Sequence, residues 1–121
     1  MFKEVLQEAL NRTEGCLGVL IMGTDGIPVE KVWHPEAAEK NLDVAVAEYT
    51  SLVRNARRTN NDMGLGKLLE FVLTSESGTF ILRFIGEDYF IAMVLSSECN
   101  FGRGRFELRK AELLLEKEFV I

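Results

Sequence analysis

Phe2, Val5, Leu6, Ala9 and Leu10 recur at helical spacing along one stripe, with Lys3, Glu4, Gln7 and Glu8 on the other side. The pattern predicts a first helix from Phe2 to Thr13, stopped by Gly15. Cys16 to Met22 is then apolar almost without interruption, which suits a strand covered on both faces. Thr24-Asp25-Gly26 signals a tight turn, because glycine accepts positive φ, and Ile27 to Trp33 reads as the returning strand. Pro28 has no N–H to give a ladder, so it belongs at a strand start or near a sheet edge.

His34-Pro35 breaks the pattern, and the helical period resumes at Leu42. Leu42, Ala45, Val46, Tyr49, Leu52, Val53 and Ala56 form an apolar stripe able to seat a partner helix, while Glu48, Ser51, Asn55 and Arg58 lie off it. This predicts a second helix ending near Arg58 and a loop over Thr59-Asn60-Asn61-Asp62. Three strands follow: Lys67 to Ser75, Thr79 to Ile85 and Tyr89 to Ser96. Their short connections, Glu76-Ser77-Gly78 and Gly86-Glu87-Asp88, make an antiparallel meander. Phe80, Leu82 and Phe84 fill one face of the middle strand, and Thr79, Ile81, Arg83 and Ile85 the other, so helices are expected on both sides of the sheet. A last helix runs from Gly102 to Lys117. The class is α/β, in the order α-β-β-α-β-β-β-α, within one domain spanning residues 1–121.

Composition narrows the function. The chain is 47% hydrophobic and 27% charged, as a folded domain is, with a net charge of −5 that disfavours binding to nucleic acid or to an anionic membrane surface. Charges interrupt the N-terminus at Lys3 and Glu4, so a signal peptide is not expected there, and the run from Leu17 to Met22 is too short to span a bilayer. The expected location is the cytoplasm. Two free thiols are the favoured state of Cys16 and Cys99 in that compartment, although sequence alone leaves a bridge open.

Catalytic constellations are missing. His34 is the one histidine, in a proline-flanked loop, so neither a Ser-His or Cys-His nucleophile nor a zinc site is expected. No enzyme activity, metal or cofactor is expected. Leu65-Gly66-Lys67 lacks the spacing of a phosphate loop and reads as a turn. Phe101-Gly102-Arg103-Gly104-Arg105 opens a helix with two guanidiniums, which permits either an anion site or a helix capped by Asn100 whose glycines pack against the sheet. Arg54, Arg57 and Arg58 either complement the dipole at the end of the second helix or meet an acidic partner. Glu112, Glu116 and Glu118 read as a solvated face.

In their order and spacing, three stretches resemble one family. They are Gly18-Val19-Leu20-Ile21-Met22 leading through Asp25-Gly26 to Ile27-Pro28-Val29, then Asp88-Tyr89-Phe90-Ile91-Ala92-Met93-Val94-Leu95, then Asn100-Phe101-Gly102 with Arg105 and Leu108-Arg109-Lys110-Ala111. The chain is similar to Roadblock, or dynein light-chain-type, domains and to their MglB-like regulators, from Phe2 to about Lys117. The resemblance implies a five-stranded antiparallel sheet with helices 1 and 3 on one face and helix 2 on the other. It also implies a homodimer formed through helix 2 and the strand after it, for which Tyr49, Val53, Leu69, Phe71 and Leu73 are the candidate interface. Leu68, Leu69, Phe71, Val72 and Leu73 support this independently, since an edge apolar on both faces invites pairing.

In that family the helix 2 face can bind a small Ras-like GTPase, and MglB-like members stimulate GTP hydrolysis. On this chain Glu48, Ser51, Asn55 and Arg58 are the candidate partner contacts. The competing expectation is a structural adaptor in a motor, cytoskeletal or signalling complex, indifferent to nucleotide. A small-molecule sensor comes third, because the filled strand patterns leave little room for a cavity.

Overall fold

The strands of residues 16–33 and 70–96 form one antiparallel sheet in the computed structural model, which describes residues 1–37 and 42–119. The elements are α1 (Phe2–Arg12), β1 (Cys16–Gly23), β2 (Pro28–Trp33), a 3₁₀ turn (Pro35–Ala37), α2 (Leu42–Asp62), β3 (Glu70–Ser75), β4 (Gly78–Ile85), β5 (Tyr89–Ser96) and α3 (Phe101–Phe119). Sheet order is β2-β1-β5-β4-β3, so β2 and β3 are the edges. Pro28 opens β2 and lies on an edge, which meets both conditions a strand proline imposes.

The alternation of β4 decides the layers. Ile81 and Ile85 point into a core with Leu6 and Leu10 of α1 and Leu108 and Leu115 of α3. Phe80, Leu82 and Phe84 point the other way, into a core with Leu20, Met22 and Phe90 under Val46 and Val53 of α2. Helices α1 and α3 therefore share one face and α2 covers the other, as the resemblance implies.

Two close approaches shape the sheet. A Cβ on Gly18 would stand 1.7 Å from the Trp33 ring opposite it, so only glycine lets that indole lie across β1. A Cβ on Gly104 would meet Leu95 at 3.2 Å and Met93 at 3.3 Å, and its absence seats α3 close on β5.

Two boundaries differ from the sequence reading by more than two residues. The segment Thr59-Asn60-Asn61-Asp62 is not loop but the last turn of α2. Polar residues do not by themselves end a helix. The chain turns at Gly64, whose φ of 73° is left-handed, while the Asn60 side chain donates to the Gly66 carbonyl at 2.8 Å. The strand predicted from Lys67 begins only at Glu70, opposite Arg83, because the chain is still leaving the turns at Gly64 and Gly66.

Candidate partner-binding surfaces

The apolar stripe of α2 is divided by its seat on the sheet. Val46 and Val53 face inward with Thr50 between them, whose hydroxyl donates to the Ala47 carbonyl at 2.6 Å. Ala45, Tyr49 and Leu52 lie about 90° further round and remain exposed. The Leu42 side chain lies outside the described residues. Glu48, Ser51, Asn55 and Arg58 form an exposed ridge facing away from the sheet, with Arg58 donating to the Asn55 side chain at 2.9 Å.

Of the residues expected at a dimer interface, Val53 is 2% exposed and belongs to the protomer's own core, so it supports the surface from beneath. Tyr49 tilts over Phe80 at 5.2 Å between ring centres and keeps its outer face in solvent. Phe71 and Leu73 lean toward the α2 side, half-buried, whereas Leu69 is exposed. A groove of about 260 Å³ runs between the α2 flank and β3, lined by Ala45, Tyr49, Leu73 and Phe80. Among the described residues, the outer backbone edge of β3 pairs with no other strand. Apolar flank, groove and open edge form one continuous surface.

The arginines of α2 hold the layer in place. Arg54 donates to the Thr24 carbonyl at 2.5 Å. Arg57 donates to the Glu87 and Gly86 carbonyls at 2.7 and 3.3 Å and stacks 3.9 Å over the Phe84 ring. Both hairpin tips are thus tied to the helix. The dipole reading of Arg54, Arg57 and Arg58 is overturned, since α2 continues past them and its last turn has no basic residue. These arginines answer hairpin carbonyls and Asn55.

The Roadblock/LC7 domain family matches residues 2–95. The chain belongs to this family. Among solved structures, MglC from Myxococcus xanthus is 32% identical, with 96% of this chain and 97% of that one covered and a TM-score of 0.70. MglB from the same organism is 12% identical over 98% and 94% of the two chains, with a TM-score of 0.86, a likeness of fold. An uncharacterized protein of Methanocaldococcus jannaschii is 28% identical over 111 residues, 92% of this chain and 93% of its own.

On the opposite face the Roadblock chain carries a chain of charges that local sequence reading missed. Arg105 grips Glu70 with two bonds, at 2.9 and 2.6 Å. Glu70 also lies 3.7 Å from Arg83, which donates to Glu112, and Glu112 accepts from Arg109 at 2.7 Å. Glu112 is therefore buried, a correction to the solvated face expected of it; Glu116 is half-buried and Glu118 exposed. The signal was Arg83 itself, a cation on an inward-facing strand position that demands a counter-charge. Hydrogen bonding and charge from Arg105, with Arg83 nearby, hold the Glu70 carboxyl below its ordinary range.

The other singled-out residues have structural partners. His34 Nδ1 accepts from the Glu36 N–H at 3.2 Å and caps the 3₁₀ turn. Asn100 caps α3 by accepting from the Arg103 N–H at 3.0 Å, the capping alternative for that segment. Cys16 and Cys99 are separate thiols, and burial pushes Cys16 up to about 12. Among the described residues, no group of three or more His, Cys, Asp or Glu is placed to hold a metal ion, and no helix is long and apolar enough to cross a membrane.

Proposed function

We propose that this Roadblock protein is a non-catalytic cytoplasmic homodimer that regulates a small Ras-like GTPase. The observation that carries the reading is the continuous apolar surface of Ala45, Tyr49, Leu52 and Leu73 beside the open edge of β3. Pairing two β3 edges would satisfy their free backbone groups and bring two α2 helices together. Tyr49, Leu69, Phe71 and Leu73 then form the interface, with Val53 beneath it. The ridge of Glu48, Ser51, Asn55 and Arg58 stays outward for the GTPase.

Stimulation of hydrolysis is assigned to positioning of the GTPase's own switch residues, since phosphoryl transfer depends on positioning and electrostatics. Arg54 supports this reading, being engaged with the Thr24 carbonyl instead of standing on a stiff loop. A nucleotide-indifferent adaptor is the second reading. It is favoured by the mixed character of the ridge, which sets one acid and one base among neutral side chains.

Light scattering with size exclusion should give about twice the 13.7 kDa chain mass. A monomer at micromolar concentration defeats the dimer. Capture of the GTPase loaded with a GTP analogue but not with GDP supports regulation; equal capture leaves the adaptor. Arg58→Glu should weaken capture by about 1–2 kcal/mol without unfolding the protein.

A further inference from the structure

The outer face of α3 is basic and aromatic on a chain that is otherwise acidic. Four of the fourteen Lys and Arg residues fall between Arg103 and Lys110, against one of the nineteen acids, Glu107. That acid is buried. Phe106 and Leu113 stand exposed two helical turns apart at the centre of this face. Arg105 and Arg109 flank them on the β3 side, and Arg103 and Lys110 on the α1 side.

The guanidiniums are held ready by two buried acids, Glu107 and Glu112, and one half-buried acid, Glu70. Arg103, Arg105 and Arg109 are 44%, 53% and 49% exposed, while their partners Glu107, Glu70 and Glu112 are only 2%, 17% and 8% exposed. Arg103 lies 2.8 Å from Glu107 without a well-aligned hydrogen bond. Each guanidinium has five N–H donors, so these pairings leave donors directed to solvent. Arg103 also lies 5.7 Å from the Phe106 ring centre, and Arg105 5.9 Å from that of Phe101. Largely covered carboxylates thus restrain side chains that would otherwise lose much rotamer freedom on binding.

We propose that this face of α3 docks an acidic, amphipathic helical segment of a second protein, with Phe106 and Leu113 as apolar anchors and Arg103, Arg109 and Lys110 as its charge contacts. The anchors are about 10 Å apart along the helix, the reach of two apolar side chains two turns apart on a partner helix. A long polyanion or a bilayer would also meet the remainder of the chain, where 10 cations face 18 acids, and be repelled. A short acidic helix meets only the patch. The site lies across the sheet from α2 and would let one protomer hold two partners.

The test is selection from a displayed library of helix-biased peptides on the immobilised protein. Binding of selected peptides is then measured by fluorescence anisotropy against wild type, Phe106→Ala, Lys110→Glu and Arg58→Glu. Enriched sequences should carry Asp or Glu around two apolar residues, and binding should weaken as salt rises. Phe106→Ala and Lys110→Glu should each weaken binding about tenfold, because anchors and flanking charges carry such interfaces. Phe106 is exposed and Lys110 half-buried, and circular dichroism is to check that the variants fold. Arg58→Glu on α2 should leave peptide binding unchanged, which separates this result from that of the GTPase reading. No enrichment, enrichment of neutral or basic peptides, or indifference to both α3 variants overturns the proposal. So does binding to phosphatidylserine vesicles or single-stranded oligonucleotide through Phe106 and Lys110 in the absence of peptide binding.

Discussion

The two faces of the sheet are finished to different degrees. On the α1–α3 face, Leu6, Leu108 and Leu115 are fully buried, and two helices close over the core together. On the other face a single helix of 21 residues inserts Val46 and Val53, and leaves Val44, Tyr49 and Leu52 in solvent. Tyr49 rests on the Phe80 ring, and Arg54 and Arg57 add polar attachment by holding hairpin carbonyls. One sheet thus supports a core closed under two helices and a core whose single covering helix leaves an apolar flank beside the edge strand.

The largest expected effect lies in the sealed layer. Leu108→Ala should cost about 3–5 kcal/mol in urea unfolding, the range for emptying a well-packed leucine site. A loss below about 1 kcal/mol would erase the contrast between the faces. Tyr49→Ala should cost the protomer only about 1 kcal/mol, for its contact with the Phe80 ring, yet weaken self-association about tenfold or more by analytical ultracentrifugation. If protomer stability fell as far as for Leu108→Ala, the outer layer would be as tightly built as the inner.

Removing the polar attachment is a smaller perturbation. Arg57→Gln should lower stability by about 1–2 kcal/mol and speed amide exchange at the β4–β5 turn, leaving β1 protected. Uniform acceleration across the sheet would mean the tether is not local. The last test is acid. Glu70 is held below its ordinary value of 4.5, so its ion pairs stabilise the fold fully above that pH and are lost as pH falls through the depressed folded-state value. Melting temperature should fall along this acid limb, and Glu70→Gln should flatten it. An unchanged limb in that variant would assign acid sensitivity elsewhere.

Much of the architecture was legible because it rests on local chemistry. Asp25-Gly26 and Gly86 mark turns by their backbone freedom, and the alternation along Phe80 to Ile85 separates the two cores before any helix is placed. The end of α2 was not legible, since Thr59 to Asp62 are polar without being breakers. Periodicity drew the apolar stripe of α2 but not which part of it the sheet covers; that division depends on where α2 settles over Phe80 and Phe84. The burial of Glu112 was hidden for a related reason. Its partner Arg83 is 29 residues away, and spacing within a helix says nothing of a charge arriving from a strand.

The glycine opposite Trp33 has an optical consequence. The chain has one tryptophan, and Gly18 lets its indole lie on the α2 side of the sheet, packed against that core and half-buried. Its emission therefore samples one layer only. Loosening of α2 would shift the spectrum before the leucines under α1 and α3 are disturbed, giving the molecule a native fluorescent gauge of its less finished side.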